Sequence, residues 1–318
     1  MSQFAMEFER PLVELEQKLA TLRRVVVSGD SELAAEVEAL AAQVDELRNG
    51  LYENITPWQR VQIARHPDRP KTQDYLAALF EDVFELRGDR AFGDDEAIVA
   101  ALATFGGRRV AVVGHRKGKD TKENVRRHFG SPHPEGYRKA MRVMRLAEKF
   151  GLPVVTFVDT QGAYPGVDAE QRGQAWAIAE SIALLSGLRV PVVCVGIGEG
   201  GSGGALAIGF GDRLIMLENS YYSVASPEAS ASILYKDAAY APQAAASLRL
   251  IANDLVQLGI ADEIVQEPRG GAHRDPVAVF EGVRSSIERA LDVLCATDAV
   301  SLIENRYRRV RSIGEFLE

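Results

Sequence analysis

The stretch VVCVGIGEGGSGGALAIGF, Val192 to Phe210, decides how this chain is read. Its apolar, β-branched start after Pro191 has the character of a buried strand. The small-residue run Ala205 to Phe210 has that of a short helix. Between them stand Gly198, Gly200, Gly201, Gly203 and Gly204. Glycine admits positive φ and lets another group come up to the main chain. A strand, a glycine turn and a helix start together present unpaired N–H groups, aided by the helix dipole, to something electron-rich. The same residues also suit a tight turn in an α/β core with no ligand.

Working outward, a second glycine loop, DTQGAYPG (Asp159 to Gly166), follows the nearly all-apolar run Val154 to Val158. A helix is expected from Glu135 to Phe150, stopped by Gly151, and a long one after the loop to about Leu185. Strands are expected at Leu214–Leu217, Tyr221–Ala225 and Glu263–Val265. SPEAS opens a helix, with further helices near 242–258 and 276–295 and a basic tail. Alternating strands and helices, with strands apolar on both faces, predict an α/β fold with a mostly parallel sheet.

Upstream, residues 1–51 carry two heptad-like stripes. Phe8, Leu12, Leu15, Leu19 and Leu22 form one; Leu33, Val37, Leu40, Val44, Leu47 and Leu51 form the other, after a Ser28-Gly29-Asp30 break. They predict an α-helical hairpin that packs on the body or on another chain, a subunit contact being favoured. A linker with Pro57, Pro67 and Pro70 follows. Thr72 is read as the N-cap of a helix running to Gly88. Ala97–Phe105 and Arg109–Gly114 form a hairpin about Gly106-Gly107. Residues 116–139 gather Lys117, Lys119, Lys122, Arg126, Arg127, Arg138 and Lys139, either a solvated loop or an anion-facing segment.

Bulk properties exclude several classes. The 318 residues, 46% hydrophobic and 26% charged, are those of a globular protein. No apolar run approaches the roughly 18 residues of a membrane span, and MSQFAMEFER is not a signal peptide. A net charge of −8 argues against nucleic acid as main partner. Cys194 and Cys295 form neither a disulfide framework nor a zinc site, so a cytoplasmic location is expected.

Gly198-x-Gly200-x-x-Gly203 fits a dinucleotide fingerprint, with Glu218 in the place of the ribose-binding acid. The helix behind it is cut short by Gly209, Gly211 and Asp212, which opposes that reading. No P-loop is present. His66, His115, His128, His133 and His273 are scattered without metal spacing. Ser202, inside GGSGG, is not taken as a nucleophile elbow. Glu199, Glu228 and Asp159 stand at strand ends where acid/base groups work, although capping is the commoner role. The functional signal is therefore the backbone, and backbone donors serve reactions that develop an oxyanion. One such donor is worth roughly 3 kcal/mol.

HPDRPKTQDY, GDRAFGDD, ENVRRHFGSPHPEGYRKAMRVMRLAEKFGLPVVTFVDT, GAYPG, GEGGSGGALAIG and GGAHRDP resemble the alpha subunit of the bacterial acetyl-CoA carboxylase carboxyltransferase over essentially the whole chain. The resemblance implies a crotonase-like (ClpP/crotonase) spiral of ββα units with an N-terminal helical hairpin arm. The arm would span 1–55, the carboxyltransferase domain 56–296 and a helical tail 297–318. It implies a heterotetramer of two alpha and two beta chains. The carboxyl group would pass from carboxybiotin, held on a separate biotin carboxyl carrier protein, to acetyl-CoA, giving malonyl-CoA for fatty acid synthesis. A separate biotin carboxylase uses the ATP, and the family's zinc ribbon belongs to the beta subunit, so no metal is expected here.

By the same resemblance, Gly203 and Gly204 supply the N–H groups that hold the biotin ureido oxygen. Gly162, Ala163, Tyr164, Pro165 and Gly166, with Gly200, Gly201 and Ser202, line the substrate site, and the basic segment 117–139 faces CoA phosphates or the beta subunit. Two departures stand out. Gln161 replaces the usual proline, which is expected to loosen its turn. Ala229-Ser230 replaces Gly-Cys, and Ala229 is expected to strain its loop by about 1 kcal/mol or more if positive φ is needed there. Two other readings are a stand-alone acyl-CoA hydratase or isomerase using Glu199 or Glu228, and a non-catalytic scaffold.

Overall fold

The structure, a computed structural model, describes residues 4–25 and 31–314. Helices α1 (Arg10–Val25) and α2 (Ser31–Glu53) form the arm. Leu12, Leu19, Leu40 and Val44 are buried between them, with Leu15, Leu22, Val37, Leu47 and Leu51 partly so. The two stripes thus pack on each other. Glu16 ties the arm to the body, bonding Arg48 and Arg274 at 2.9 Å each. The Ser28-Gly29-Asp30 break lies outside the described residues.

After α3 (Pro57–Ala64), α4 covers only Thr72–Leu79. The helix expected to reach Gly88 stops because Phe80 turns extended (φ −121°, ψ 148°). Its ring packs 5.3 Å from Phe105 and 6.0 Å from Phe157. The chain then forms β1 (Glu81–Glu85), antiparallel to β2 (Ile98–Phe105). Core burial and sheet pairing override the helical pattern here. Thr72 is the first helical residue; the orphan N–H of Lys71 bonds Asp74 at 2.9 Å.

β2 pairs with β3 (Arg108–His115) through left-handed Gly106 and Gly107, as expected. There follow α5 (Thr121–Arg126), α6 (Pro134–Phe150) and β4 (Val154–Thr160). The expected long helix is two, α7 (Val167–Gln171) and α8 (Gln174–Gly187), parted by Gly173 at φ 83°. Then come β5 (Val192–Gly201), α9 (Ser202–Gly209), β6 (Arg213–Leu217), β7 (Tyr221–Ser223) and α10 (Pro227–Tyr235). The helix expected near 242–258 is also two, α11 (Ala241–Ser247) and α12 (Ala252–Gln257). β8 (Glu263–Val265), α13 (Pro276–Cys295) and α14 (Ala299–Arg311) complete the fold.

The sheet order is β1-β2-β3-β4-β5-β6-β8, with β7 also on β5, and every pairing from β3 onward is parallel. β4 and β5 are buried along their whole length. One face packs Tyr137, Met144, Ala205 and Ile208; the other packs Tyr75, Phe157, Val283 and Ile287. Parallel strands with helices on both faces leave the carboxyl ends of β4 and β5 as the place where loops meet. Among the described residues, no helix is long and apolar enough to cross a membrane.

The basic tail is a docked helix. Arg306, 1% exposed, inserts its guanidinium under the sheet. It bonds both oxygens of Asp212 at 2.9 and 2.8 Å and the carbonyls of Leu185, Leu188 and Val190 at 2.5, 2.9 and 3.3 Å. Removing it strands a buried carboxylate and three acceptors. Arg306→Ala should therefore lower unfolding free energy by about 3–5 kcal/mol in urea titrations. Arg306→Lys, without the planar fork, should recover little of that loss.

Candidate active site

β5 runs through Gly201 and α9 begins at Ser202, three residues earlier than the apolar run indicated. Ser202 makes the corner in the left-handed region at φ 51°, so Gly203 and Gly204 fall in the first helical turn. A Cβ on Gly201 would lie 2.0 Å from the Gln161 carbonyl oxygen, and one on Gly204 would lie 2.4 Å from Ala163 N. Gly198 lies against the Asp159 carboxylate and Gly200 against the Tyr222 ring, with equivalent distances of 2.4 and 2.5 Å. Four glycines are thus needed for close packing. Gly203 is different: the nearest neighbour of an added Cβ would be Ile178 Cγ2 at 3.4 Å. It is half-buried, and the N–H groups of a first helical turn lack intrahelical acceptors.

This geometry removes the dinucleotide reading. Tyr222 fills the side of Gly200 that a pyrophosphate would need. Glu218 is occupied by Arg60 and the Glu267 N–H, each at 3.2 Å.

The GAYPG loop packs on the same turn. Thr160 Oγ1 accepts from Gly162 N at 3.0 Å and donates to its carbonyl at 2.9 Å, so the turn is closed without a proline at Gln161. Tyr164 N donates to the Pro132 carbonyl at 3.0 Å, and Gln174 Nε2 bonds the carbonyls of Tyr164 and Pro132 at 2.9 and 2.8 Å. Gly166 lies under the Tyr164 ring, leaving no space for a side chain. The strain expected at Ala229 does not arise. Ala229 sits in the first turn of α10, its N–H capped by Ser226 Oγ at 3.1 Å.

His115, at the end of β3, joins the two turns. Asp159 N donates to its Nδ1 at 3.3 Å, so Nε2 carries the proton toward the Gly204 carbonyl at 3.2 Å. Burial holds its pKa down at about 3, so the ring is neutral. One histidine at a strand end carries no such message in sequence. Ser202 does have the strand-to-helix backbone of a nucleophile elbow, contrary to the sequence reading, but His115 is committed on both ring nitrogens.

Beside the turns, a cleft of about 250 Å³ is lined by Arg65, Lys71, Lys117, Asp159, Gln161 and Glu199 among others. Gly203 lies outside it, next to α8. Lys117 Nζ bridges Asp159 at 2.7 Å and Glu199 at 2.8 Å. Arg65 bridges Glu199 at 2.8 Å and Glu228 at 2.5 Å, and Tyr221 donates to Glu199 at 2.6 Å. Burial alone would raise the pKa of Glu199; Lys117 and Arg65 outweigh it and hold it near 2. For Glu228, burial likewise pushes up but Arg65 brings the net shift down. Carboxylates held ionised in ion pairs are poorly matched to proton transfer near neutrality, which weakens the hydratase reading.

The basic segment is also less free than its composition implied. Besides Lys117, Arg127 bonds Glu123, Arg138 bonds Asp89, and buried Lys139 bonds Asp94. Arg65 and Lys117 are the residues that sequence reasoning left unassigned as a pair, because the network exists only once α3, β3 and β5 are assembled.

The fold as a whole is that of the crotonase-fold carboxyltransferases. The fold matches transcarboxylase 12S with a TM-score of 0.60 at 19% identity, over 74% of this chain and 44% of that one. The Pseudomonas malonate decarboxylase MdcD–MdcE heterodimer matches with a TM-score of 0.55 at 19% identity, over 69% of this chain and 90% of that one. The family model described as acetyl co-enzyme A carboxylase carboxyltransferase-like matches residues 5–314. The acetyl-coenzyme A carboxylase carboxyl transferase subunit alpha of Thermus thermophilus is 55% identical over 98% of this chain and 99% of its own length. That of Listeria monocytogenes serotype 4a is 51% identical, over 98% of each. The chain belongs to the family of acetyl-CoA carboxylase carboxyltransferase alpha subunits.

His115 also makes a pH prediction. Unfolded, an imidazole titrates near 6.5; folded, this one titrates near 3. Between those values the unfolded chain binds the extra proton, so stability falls as pH drops, by up to about 1.4 kcal/mol per unit. His115→Asn should be less stable at pH 7 by about 1–3 kcal/mol. Its loss of stability from pH 7 to 5 in denaturant titrations should be shallower than that of the parent. Parallel pH profiles would contradict the assignment.

Proposed function

We propose that this chain is the alpha half of a carboxyltransferase that moves a carboxyl group from carboxybiotin to acetyl-CoA, forming malonyl-CoA. The observation that carries the reading is Gly203: it alone of the five turn glycines keeps room beside its main chain, at a helix N-terminus. Carboxybiotin, presented on a separate carrier protein, would supply the carboxyl group and, once relieved of it, the base for the methyl proton of acetyl-CoA.

The chain's own task is electrostatic. The Gly203 and Gly204 N–H groups would receive the charge that grows on the ureido oxygen, where one fixed donor is worth roughly 3 kcal/mol. His115 keeps that turn in place through the Gly204 carbonyl. Ala163, Tyr164 and Pro165, between Gly162 and Gly166, would line the substrate side, with Gly200, Gly201 and Ser202 setting the corner. No protein carboxylate need act as base, in keeping with the ion-paired state of Glu199.

A beta subunit would complete the site. Trp176 (71% exposed) and Leu206 (41%) stand on the two helices that flank the turn, and they offer apolar surface for it. Residues 1–55 would act as arm, 56–296 as catalytic domain and 297–318 as tail. The biotin carboxyl carrier protein and biotin carboxylase are the further partners, in the cytoplasm.

Transfer from carboxybiotin to acetyl-CoA should appear only when the chain is mixed with the matching beta subunit. Turnover by the isolated chain would overturn the shared-site reading. In the assembled complex, Gly203→Val should cut the rate about 100-fold or more. Size-exclusion chromatography should show assembly unchanged, since α9 has space for the side chain. Undiminished turnover by that variant would remove Gly203 from the mechanism.

A further inference from the structure

At the outer end of the GAYPG loop, three residues with no role in the reaction above converge. They are Asp95, in the segment before β2; His128, in the turn after α5; and His133, at the start of α6. One carboxylate oxygen of Asp95 and one ring nitrogen from each histidine all lie within 4.8 Å of one another. The two imidazole centres are 4.4 Å apart.

Two observations separate this cluster from an ordinary polar corner. His128 Nδ1 is buried and meets no hydrogen-bond partner among the described residues. A buried polar atom left so is costly unless something else binds it. Asp95 is buried too, and among the described residues its carboxylate receives only main-chain donors, Ala97 N at 2.8 Å and His133 N at 2.7 Å. Lys139 beside it bonds the Asp95 carbonyl and the Asp94 carboxylate instead. Each Asp95 oxygen keeps a lone pair, and among the described residues no cationic side chain bonds it.

We propose that Asp95, His128 and His133 form a binding site for a divalent first-row transition metal, Zn²⁺ in the first instance. Two imidazoles and a carboxylate with an open fourth position are a zinc donor set, whereas calcium and magnesium require mainly oxygen ligands. Ligand atoms about 2 Å from one zinc lie about 3.3 Å apart, so binding draws the trio together. Asp168, whose Oδ2 is 3.6 Å from His133 Nε2, is placed to orient that ring from outside. Entry is through a cavity of about 320 Å³ that Glu96 and Glu135 also line.

Positive charge nearby opposes a cation, but it is already engaged. Arg126 pairs with Glu96 at 2.9 Å, and Arg172 pairs with Glu135 at 2.5 Å. The N-terminal dipole of α6 opposes it weakly. The consequence reaches the functional loop, because the His133 ring stacks on Tyr164 with centres 4.1 Å apart. A bound metal would fasten residues 128–133 and, through that stack, the GAYPG loop. Sequence reading expected no metal here, because the five histidines looked scattered and the resembled family's zinc ribbon belongs to the beta subunit, although four residues between His128 and His133 is a spacing zinc sites use.

The test uses the full chain purified without a beta subunit and stripped with chelator. Calorimetric titration with ZnCl2 should give one site per chain, and Co²⁺ should give visible d–d absorption of a tetrahedral site. His128→Asn retains the left-handed backbone that position holds at φ 47° and removes the imidazole. It and His133→Gln should each weaken zinc binding roughly tenfold or more. The double variant should show no saturable site, and zinc should raise the unfolding temperature of the parent only. Absence of saturable binding by the parent, or one tight site retained in the folded double variant, would overturn the proposal.

Discussion

β4 and β5 leave the sheet side by side, and the turns that follow them touch main chain to main chain. Gly201 sits on the Gln161 carbonyl, and Gly204 sits on the Gly162–Ala163 peptide, at distances that exclude any Cβ. This contact sets the direction in which α9 starts, and so which peptide groups of its first turn are left without partners. The parallel pairing of β4 with β5, shifted in register between Val158 and Thr160, delivers the two turns to one place. Thr160, His115 and Gln174 then tie them with hydrogen bonds. In the proposed reaction, donors held in this way would cost little reorganisation as charge develops.

The ion network beside the turns has a different purpose. Asp159 and Glu199 leave the same two strands, and unpaired they would repel each other in a poorly solvated cleft. Lys117 bonds both, and Arg65 bonds Glu199 and reaches on to Glu228. Buried charges arranged this way hold geometry more than they add net stability. The same arrangement keeps Glu199 ionised, which matches it poorly to proton transfer near neutrality.

Much of this was readable beforehand because it depends on local pattern. The all-apolar runs at Val154 and Val192 name buried parallel strands, and Gly106-Gly107 names a hairpin. The two glycine loops stand out in the sequence, and the structure brings them into main-chain contact. What was hidden depends on tertiary contact. The helix through Val83 fails because Phe80 finds Phe105 and Phe157 across the core. The helix after the GAYPG loop breaks at Gly173, whose left-handed φ no periodicity reveals. Lys117 and Lys139 look like surface charge in sequence and prove to be internal partners of Asp159 and Asp94. The resemblance to a carboxyltransferase alpha subunit pointed to the Gly203-Gly204 pair, but which glycine is packed and which keeps space beside it required the neighbours of each.

The central proposal is that backbone N–H groups at the start of α9, that of Gly203 foremost, do the electrostatic part of the reaction in place of a side chain. Replacing the Gly203 residue by glycolate turns its amide into an ester, which deletes that N–H and adds no atoms. Because the first turn of α9 has no intrahelical acceptor for this group, the fold should not register the change. Carboxyl transfer by the assembled complex should fall about 100- to 1,000-fold with the unfolding midpoint unmoved. An unchanged turnover number in the folded ester variant would contradict the account.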